Sequence, residues 1–258
     1  MRYLAMIQAR CGSSRLPRKV LKDLCGKTVL ERVIERVQQS KYVDEVMVVT
    51  SLNPEDIPIV NKVSELGLRV YCGSSLDVLD RYYQASRLIK PDNVIRITAD
   101  CPVFDYELLD EAIGEFKEDS DYLGSITETF ADGLDLEIVR YDSLEKCWSE
   151  AKLLSEREHV TLYIKNHKEL FNIQDFVCKL GDLHNERWTI DEPEDYIFIK
   201  KLYEYFLSIN KKYFLTSDII KYLNENPDIR EINKGFIRNE GLLISLEKDK
   251  KMKVSEKL

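Results

Sequence analysis

Short apolar runs and helically spaced apolar positions alternate through the first half of the chain. Residues 3–9 are almost continuously apolar, which predicts a buried strand. Val29, Leu30, Val33, Ile34 and Val37 then recur at helical spacing. The same alternation continues with strands predicted over 45–50, 68–72 and 93–98. Helices are predicted from Asn53-Pro54 to near Gly67, over 76–89 and over 105–116. This βαβ rhythm predicts an α/β three-layer sandwich: a mostly parallel sheet with helices on both faces. Ligands of such sheets gather at the carboxyl ends of the strands, here near residues 8–15, 50–53, 72–77 and 98–102.

Beyond about residue 120 the rhythm changes. Strands are expected over 122–127 and 134–139, around Asp132-Gly133, and again over 171–177 and 187–190. Helices are expected over 141–152, 155–165 and 193–207, the last with Pro193 at its first position. Thr216-Ser217-Asp218 reads as a further helix cap. No linker rich in Gly, Ser or Pro interrupts the chain, so residues 1–245 read as one domain with strands inserted around 120–190. The lysine-rich stretch 246–258 lacks periodicity and reads as a mobile tail.

Composition adds limits. The chain has 258 residues, of which 44% are hydrophobic and 10% aromatic, enough for a sizeable core. No apolar run approaches a membrane span, and the apolar start runs straight into charge rather than a cleavage site. The net charge of −8 argues against nucleic acid as a partner. Six cysteines without a CxxC pair suit reduced thiols in a cytoplasmic protein. The charge is uneven, however. Residues 1–22 contain Arg2, Arg10, Arg15, Arg18, Lys19 and Lys22 and no carboxylate, which points to a small anionic ligand.

The candidate chemistry concentrates in Gln8-Ala9-Arg10-Cys11-Gly12-Ser13-Ser14-Arg15-Leu16-Pro17-Arg18-Lys19, a cationic loop at a strand end. Backbone amides in such a turn can cradle phosphate, and its cations can neutralise charge during phosphoryl or nucleotidyl transfer. Two other phosphate motifs fail. Gly26-Lys27-Thr28 lacks the P-loop glycine because position 21 is Leu21, and Gly12 alone does not make a dinucleotide fingerprint. Asp100, at a strand end, and Asp191, ahead of Pro193, are of the type that binds Mg²⁺, though capping accounts for each on its own. Arg96 lies on an apolar strand and needs a partner or an exit to solvent. Ser74 and Asp77 read equally as a ligand loop or as a helix start.

The loop resembles the signature of the CMP-sugar synthetases, the cytidylyltransferases that activate acidic sugars, through Arg10, Gly12, Ser13, Arg15, Leu16, Pro17 and Lys19. The pattern is most similar to the spore coat polysaccharide (SpsF-type) branch. Gln8, Ala99-Asp100-Cys101-Pro102, Gly133–Glu137, Arg157-Glu158-His159 and Asp191–Asp195 carry that likeness over about residues 3–206. Ala99 stands where that branch has glycine, which matters only if the backbone there needs positive φ. The resemblance implies a nucleotide-diphospho-sugar transferase-like form of that sandwich, and CMP transfer from CTP to a small acidic or phosphorylated sugar-like acceptor, in a homodimer. It implies Arg10, Lys19 and Asp100 as catalytic residues, with Mg²⁺ or Mn²⁺ on Asp100 and Asp191. It implies nucleotide contacts from Gln8, Arg10, Gly12, Ser13, Arg15, Lys19, Ser74, Asp77 and Arg96, and acceptor contacts from Asp135, Glu137, Arg157 and His159. Arg157 and His159, two residues apart on a predicted helix, do not share a face, so at most one points straight into a cleft. The rival reading is a glycosyltransferase that consumes a nucleotide sugar on a similar sheet.

Overall fold

The computed structural model describes residues 1–255. The first half runs β1 (Tyr3–Gln8), α1 (Val29–Val37), β2 (Glu45–Ser51), α2 (Ile57–Glu65), β3 (Arg69–Gly73), α3 (Val78–Ile89), β4 (Asn93–Thr98) and α4 (Tyr106–Glu115). The second half adds β5 (Tyr122–Gly124), β6 (Glu137–Arg140), α5 (Tyr141–Glu150), α6 (Leu154–Glu158), α7 (Leu162–Asn166), β7 (Ile173–Asp175), α8 (Pro193–Ser208), α9 (Thr216–Glu225), α10 (Pro227–Arg230) and α11 (Glu240–Ser255). Among the described residues no helix is long and apolar enough to cross a membrane.

The strands form one seven-stranded sheet in the order β3-β2-β1-β4-β6-β5-β7. Only β6 runs against its neighbours, β4 and β5. The central strand shows why. In β1, Tyr3, Ala5 and Ile7 pack into one apolar cluster and Leu4 and Met6 into another, so both faces are buried and no polar alternation survives. The first cluster holds the apolar faces of α1, α2, α4, α8 and α9, and the second those of α3, α5 and α7. These are the three layers expected from the sequence.

Local signals set the helix ends. Thr28, the last residue of the failed P-loop match, caps α1 in a reciprocal box with Glu31. Asp77 caps α3 by accepting from the Asp80 amide, and Asp105 caps α4. Three expectations change. The helix expected over 155–165 splits into α6 and α7, with Val160 between them in the left-handed region at φ 51°. The strand expected over 187–190 is only an isolated bridge between Asp132 and Arg187. Residues 246–255, expected as part of a mobile tail, lie in α11, which packs against α6; residues 256–258 of that stretch lie outside the described residues. Ala99 adopts negative φ, so the missing glycine carries no strain there.

Candidate active site

The cationic loop is built from the end of β1 inward. Leu16 and Val20 are buried under it, and the Cys11 amide donates to Asp56 Oδ1 at 2.6 Å. The Ser13 hydroxyl accepts from the Leu16 amide at 3.3 Å, so the loop closes on itself. The loop ends with Lys19, only 8% exposed, directed at the sheet edge.

There Lys19 Nζ lies 2.6 Å from Asp100 Oδ2 and 2.6 Å from Asp191 Oδ1. Two acids 91 positions apart meet because their segments are stitched together. The Ile190 amide donates to the Asp100 carbonyl at 2.8 Å, directly before Asp191. Buried Asp195 accepts from the Asp191 and Glu192 amides at 3.0 and 2.9 Å. Arg187 grips Asp195 through two nitrogens at 2.9 Å, Asp132 at 2.8 Å and Asp191 at 3.4 Å. Gly133 permits this approach. It has φ 105°, and a Cβ there would stand 2.7 Å from the Thr189 amide nitrogen.

The protonation states follow from this crowding. Burial works against the Asp100 charge, but the Lys19 ammonium outweighs it and holds the carboxyl well below its ordinary value. Burial likewise opposes the Lys19 charge, and the two carboxylates override it and raise its pKa. Asp132 goes the other way: burial raises it to about 6 despite Arg187. Burial pushes the Cys101 thiol well above its ordinary value, which leaves it an unreactive neighbour of Asp100.

Two adjoining cavities open on this centre. One, of about 300 Å³, is lined by Gln8, Arg10, Gly12, Ser13, Arg15 and Lys19, with Arg81 and Arg96 deeper in. Arg10 makes no ion pair among the described residues. Arg15 is shared by Asp191 at 3.3 Å, Glu192 at 3.0 Å and Glu240. The second cavity, of about 430 Å³, is lined by Ser125, Asp135, Glu137, His159, Lys165 and Lys168 among others. Arg96, Thr98, Asp100, Asp132, His159, Asp191 and Asn239 lie at the boundary and line both.

The acceptor-side residues divide. Glu137 is a buried hub that accepts from Arg96 at 2.6 Å, Tyr122 at 2.6 Å, Thr161 at 2.7 Å and Lys165 at 2.8 Å. Burial opposes its charge, but Lys165 and Arg96 hold it far below the ordinary carboxylate range. Arg96 thus has the ion-pair partner that its strand position demands, while its Nε is buried with no partner among the described residues. Asp135 pairs with Arg238 at 2.9 Å, and His159 Nε2 meets Ser245 Oγ at 3.1 Å.

Three candidates are not brought to either cavity. Ser74 Oγ accepts from the Asp77 amide at 3.0 Å, and Asp77 caps α3 and takes Arg157 at 2.6 and 2.9 Å. A helix start, which fitted these positions equally well in the sequence, is the role seen: Asp77 caps α3, Ser74 closes the turn before it, and Arg157 is spent on Asp77 and the Trp148 carbonyl. Sequence reasoning missed Arg81 and Arg187. Arg81 sits on the buried face of α3 with Val78, Tyr82 and Ala85, 3% exposed, and its Nε donates to the Ser74 carbonyl at 3.0 Å. A charge on an apolar helix face was the available signal. Arg187 offered none, because its partnership with Asp132 spans 55 positions, although Asp191 and Asp195 follow it by four and eight.

Asp100 and Asp191 fit a divalent cation by one observation: a cation, the Lys19 ammonium, already sits between their oxygens at hydrogen-bond distance from both. Two hard carboxylates with room for phosphate oxygens suit Mg²⁺.

Comparison with known proteins shows the family. Residues 4–223 match the family model described as cytidylyltransferase. The chain is 37% identical over 239 residues to an uncharacterised protein of Methanocaldococcus jannaschii, covering 90% of this chain and 95% of that one. It is 36% identical over 238 residues to the spore coat polysaccharide biosynthesis protein SpsF of Bacillus subtilis, covering 87% and 95%. A solved cytidylyltransferase from Leptospira borgpetersenii superposes with a TM-score of 0.85 at 33% identity, over 92% of this chain and 99% of that one. A CMP:2-keto-3-deoxy-manno-octonic acid synthetase solved with CTP shares the fold, with a TM-score of 0.61 at 18% identity over 80% of this chain and 99% of that one. With most of its length matched and its relatives covered nearly end to end, the chain belongs to the cytidylyltransferase family and is an enzyme of the nucleotidyltransferase class.

Proposed function

We propose that the protein transfers CMP from CTP to a small acidic or phosphorylated sugar-like precursor of a surface polysaccharide and releases pyrophosphate. The observation that carries this reading is the placement of Lys19 between Asp100 and Asp191, with Arg10 and Arg15 alongside, where the smaller cavity opens into the larger. The smaller cavity has the cations for a triphosphate. The larger adds Lys165 and Lys168 for an anionic acceptor. The relatives named for 3-deoxy-manno-octulosonate and for spore coat polysaccharide support an acidic, sugar-like acceptor.

In this mechanism the acceptor oxygen, held in the larger cavity, attacks the α-phosphorus, and the bond to pyrophosphate breaks. Arg10, Arg15 and Lys19 bind the phosphate oxygens and stabilise the charge that moves onto the leaving group. Gln8, Gly12 and Ser13 line the nucleotide side, and Arg96 sits where the two substrates meet. Asp100 and Asp191 would hold Mg²⁺ or Mn²⁺, which when bound supplies charge neutralisation on the phosphates. The protein itself supplies no covalent nucleophile. Asp135 and His159 face the acceptor, and Glu137 positions Arg96 and Lys165. The absence of a membrane-length helix among the described residues and the six free thiols support a cytoplasmic enzyme, and we take it to be a homodimer, which light scattering checks.

A pyrophosphate-release screen of the four nucleoside triphosphates against sugar acids and sugar phosphates tests the reading. CTP with an acidic acceptor should be selected. Larger thermal shifts with UDP- or GDP-sugars than with CTP and Mg²⁺ would favour a glycosyltransferase instead.

A further inference from the structure

The family match ends at residue 223, yet the chain beyond it returns to the site. Asn233 Nδ2 donates to the Arg187 carbonyl at 2.8 Å and to Asp195 Oδ1 at 2.9 Å. Arg238 donates to the Phe130 carbonyl at 2.8 Å and pairs with Asp135. Asn239, at φ 57°, then turns the chain into α11. This turn lies over both cavities: Asn239 and Glu240 line the smaller, Asn239 and Leu242 the larger.

We infer that this turn is a nucleotide-responsive latch: Glu240 holds Arg15 until a triphosphate takes it, and the release moves Asn239 and Leu242 off the acceptor cavity. The inference rests on the reading that a nucleoside triphosphate binds against Arg15.

The argument is one of charge exchange. In the structure, two of the three cations that would face phosphate are occupied by carboxylates. Lys19 is held by Asp100 and Asp191, and Arg15 by Asp191, Glu192 and Glu240. A divalent ion arriving with the nucleotide gives Asp100 and Asp191 a new partner and frees Lys19 for phosphate. Glu240 gains no such partner. It would remain as an anion against the triphosphate, so the arrangement that satisfies Arg15 with phosphate expels it. Arg15 and Glu240 are both partly exposed, with side chains 36% and 43% accessible, so their pair is weak enough for a ligand to replace. Because Glu240 and Leu242 share one turn, the nucleotide would open the acceptor cavity, and CTP would bind first.

Hydrogen exchange on the full chain, with and without CTP or inorganic tripolyphosphate in Mg²⁺, tests this. Exchange in peptides covering 237–246 should speed up with either ligand. Glu240→Gln should bind both about three- to tenfold tighter, as expected for losing a partly exposed competing ion pair. Its 237–246 segment should exchange fast without ligand. In an Arg15→Ala background, Glu240→Gln should change tripolyphosphate affinity far less. Protection or unchanged exchange of 237–246 on binding, or unaltered affinity in Glu240→Gln, overturns the latch while leaving the nucleotide reading intact. Failure of the wild type to bind either ligand overturns both.

Discussion

Replacing Asp100 or Asp191 by Asn tests the centre most directly, and the structure fixes the sign of the effect. Two carboxylates alone at a sheet edge would repel, and removing one would stabilise the protein without ligand. Lys19 reverses this. Each carboxylate oxygen is 2.6 Å from Nζ, so the two are at most twice that distance apart. At an effective dielectric of about 20, each attraction is roughly 6 kcal/mol and the repulsion at least roughly 3 kcal/mol, rising to about 4 kcal/mol for a tetrahedral arrangement around Nζ. Removing one acid therefore loses more attraction than it relieves repulsion. Rehydration of the removed charge and the partial exposure of both acids, about a quarter each, reduce the net loss to about 1–3 kcal/mol. Urea unfolding in EDTA should show that loss in each variant. Isothermal titration with Mn²⁺ and CTP should show weakened metal-dependent binding in the same proteins, and turnover should fall by orders of magnitude. A variant at least as stable as wild type in EDTA would refute the three-charge argument, whatever its activity.

Further outcomes follow from the same geometry. Arg10→Ala should weaken CTP binding by about 1.5–3 kcal/mol, the cost of a lost charge-assisted contact, with the unliganded melting temperature unchanged because Arg10 has no ion pair to lose among the described residues. Gly133→Ala should destabilise by about 1–3 kcal/mol, read by urea midpoint, since it needs positive φ and crowds the Thr189 amide. Glu137 has a folded pKa below its ordinary value of 4.5, so the unfolded chain binds more protons than the folded one at lower pH. Its contribution is full above that value and is lost as pH falls below it. Stability measured from pH 6 to 3 should fall more steeply in wild type than in Glu137→Gln.

Much of this was legible in the chain. The parallel core could be read because both faces of β1, β2 and β4 are buried, which leaves uninterrupted apolar runs bounded by polar strand ends. The cationic loop could be read because its residues are contiguous and lack acids. What failed depends on long-range contacts. Ser74 and Asp77 carry the same chemistry whether they shape a helix start or bind a ligand, and only the fold shows Asp77 capping α3 and taking Arg157. Arg187 acts through Asp132, Asp191 and Asp195, none of which is next to it in sequence. Residues 246–255 read as a tail because their lysines hide any apolar stripe, and what seats α11 is in part polar: Ser245 on Glu158 and His159, and Asp249 on the Ser155 amide.

The charge pattern also bears on how an acidic protein binds a polyanion. With a net charge of −8, long-range attraction to a triphosphate is weak and is screened within about 10 Å at ordinary ionic strength. Binding must then come from local exchange. Lys19 is already placed, desolvated and oriented by the carboxylates it holds, and the partly exposed Arg15 is held in place by its own. The ligand replaces existing partners instead of ordering free side chains, so the reorganisation required at the moment of reaction is small. The carboxylates thus act as placeholders. Those at Asp100 and Asp191 pass to a cation, and the one at Glu240 must leave. Affinity for nucleotide should therefore depend on divalent metal far more steeply than on monovalent salt.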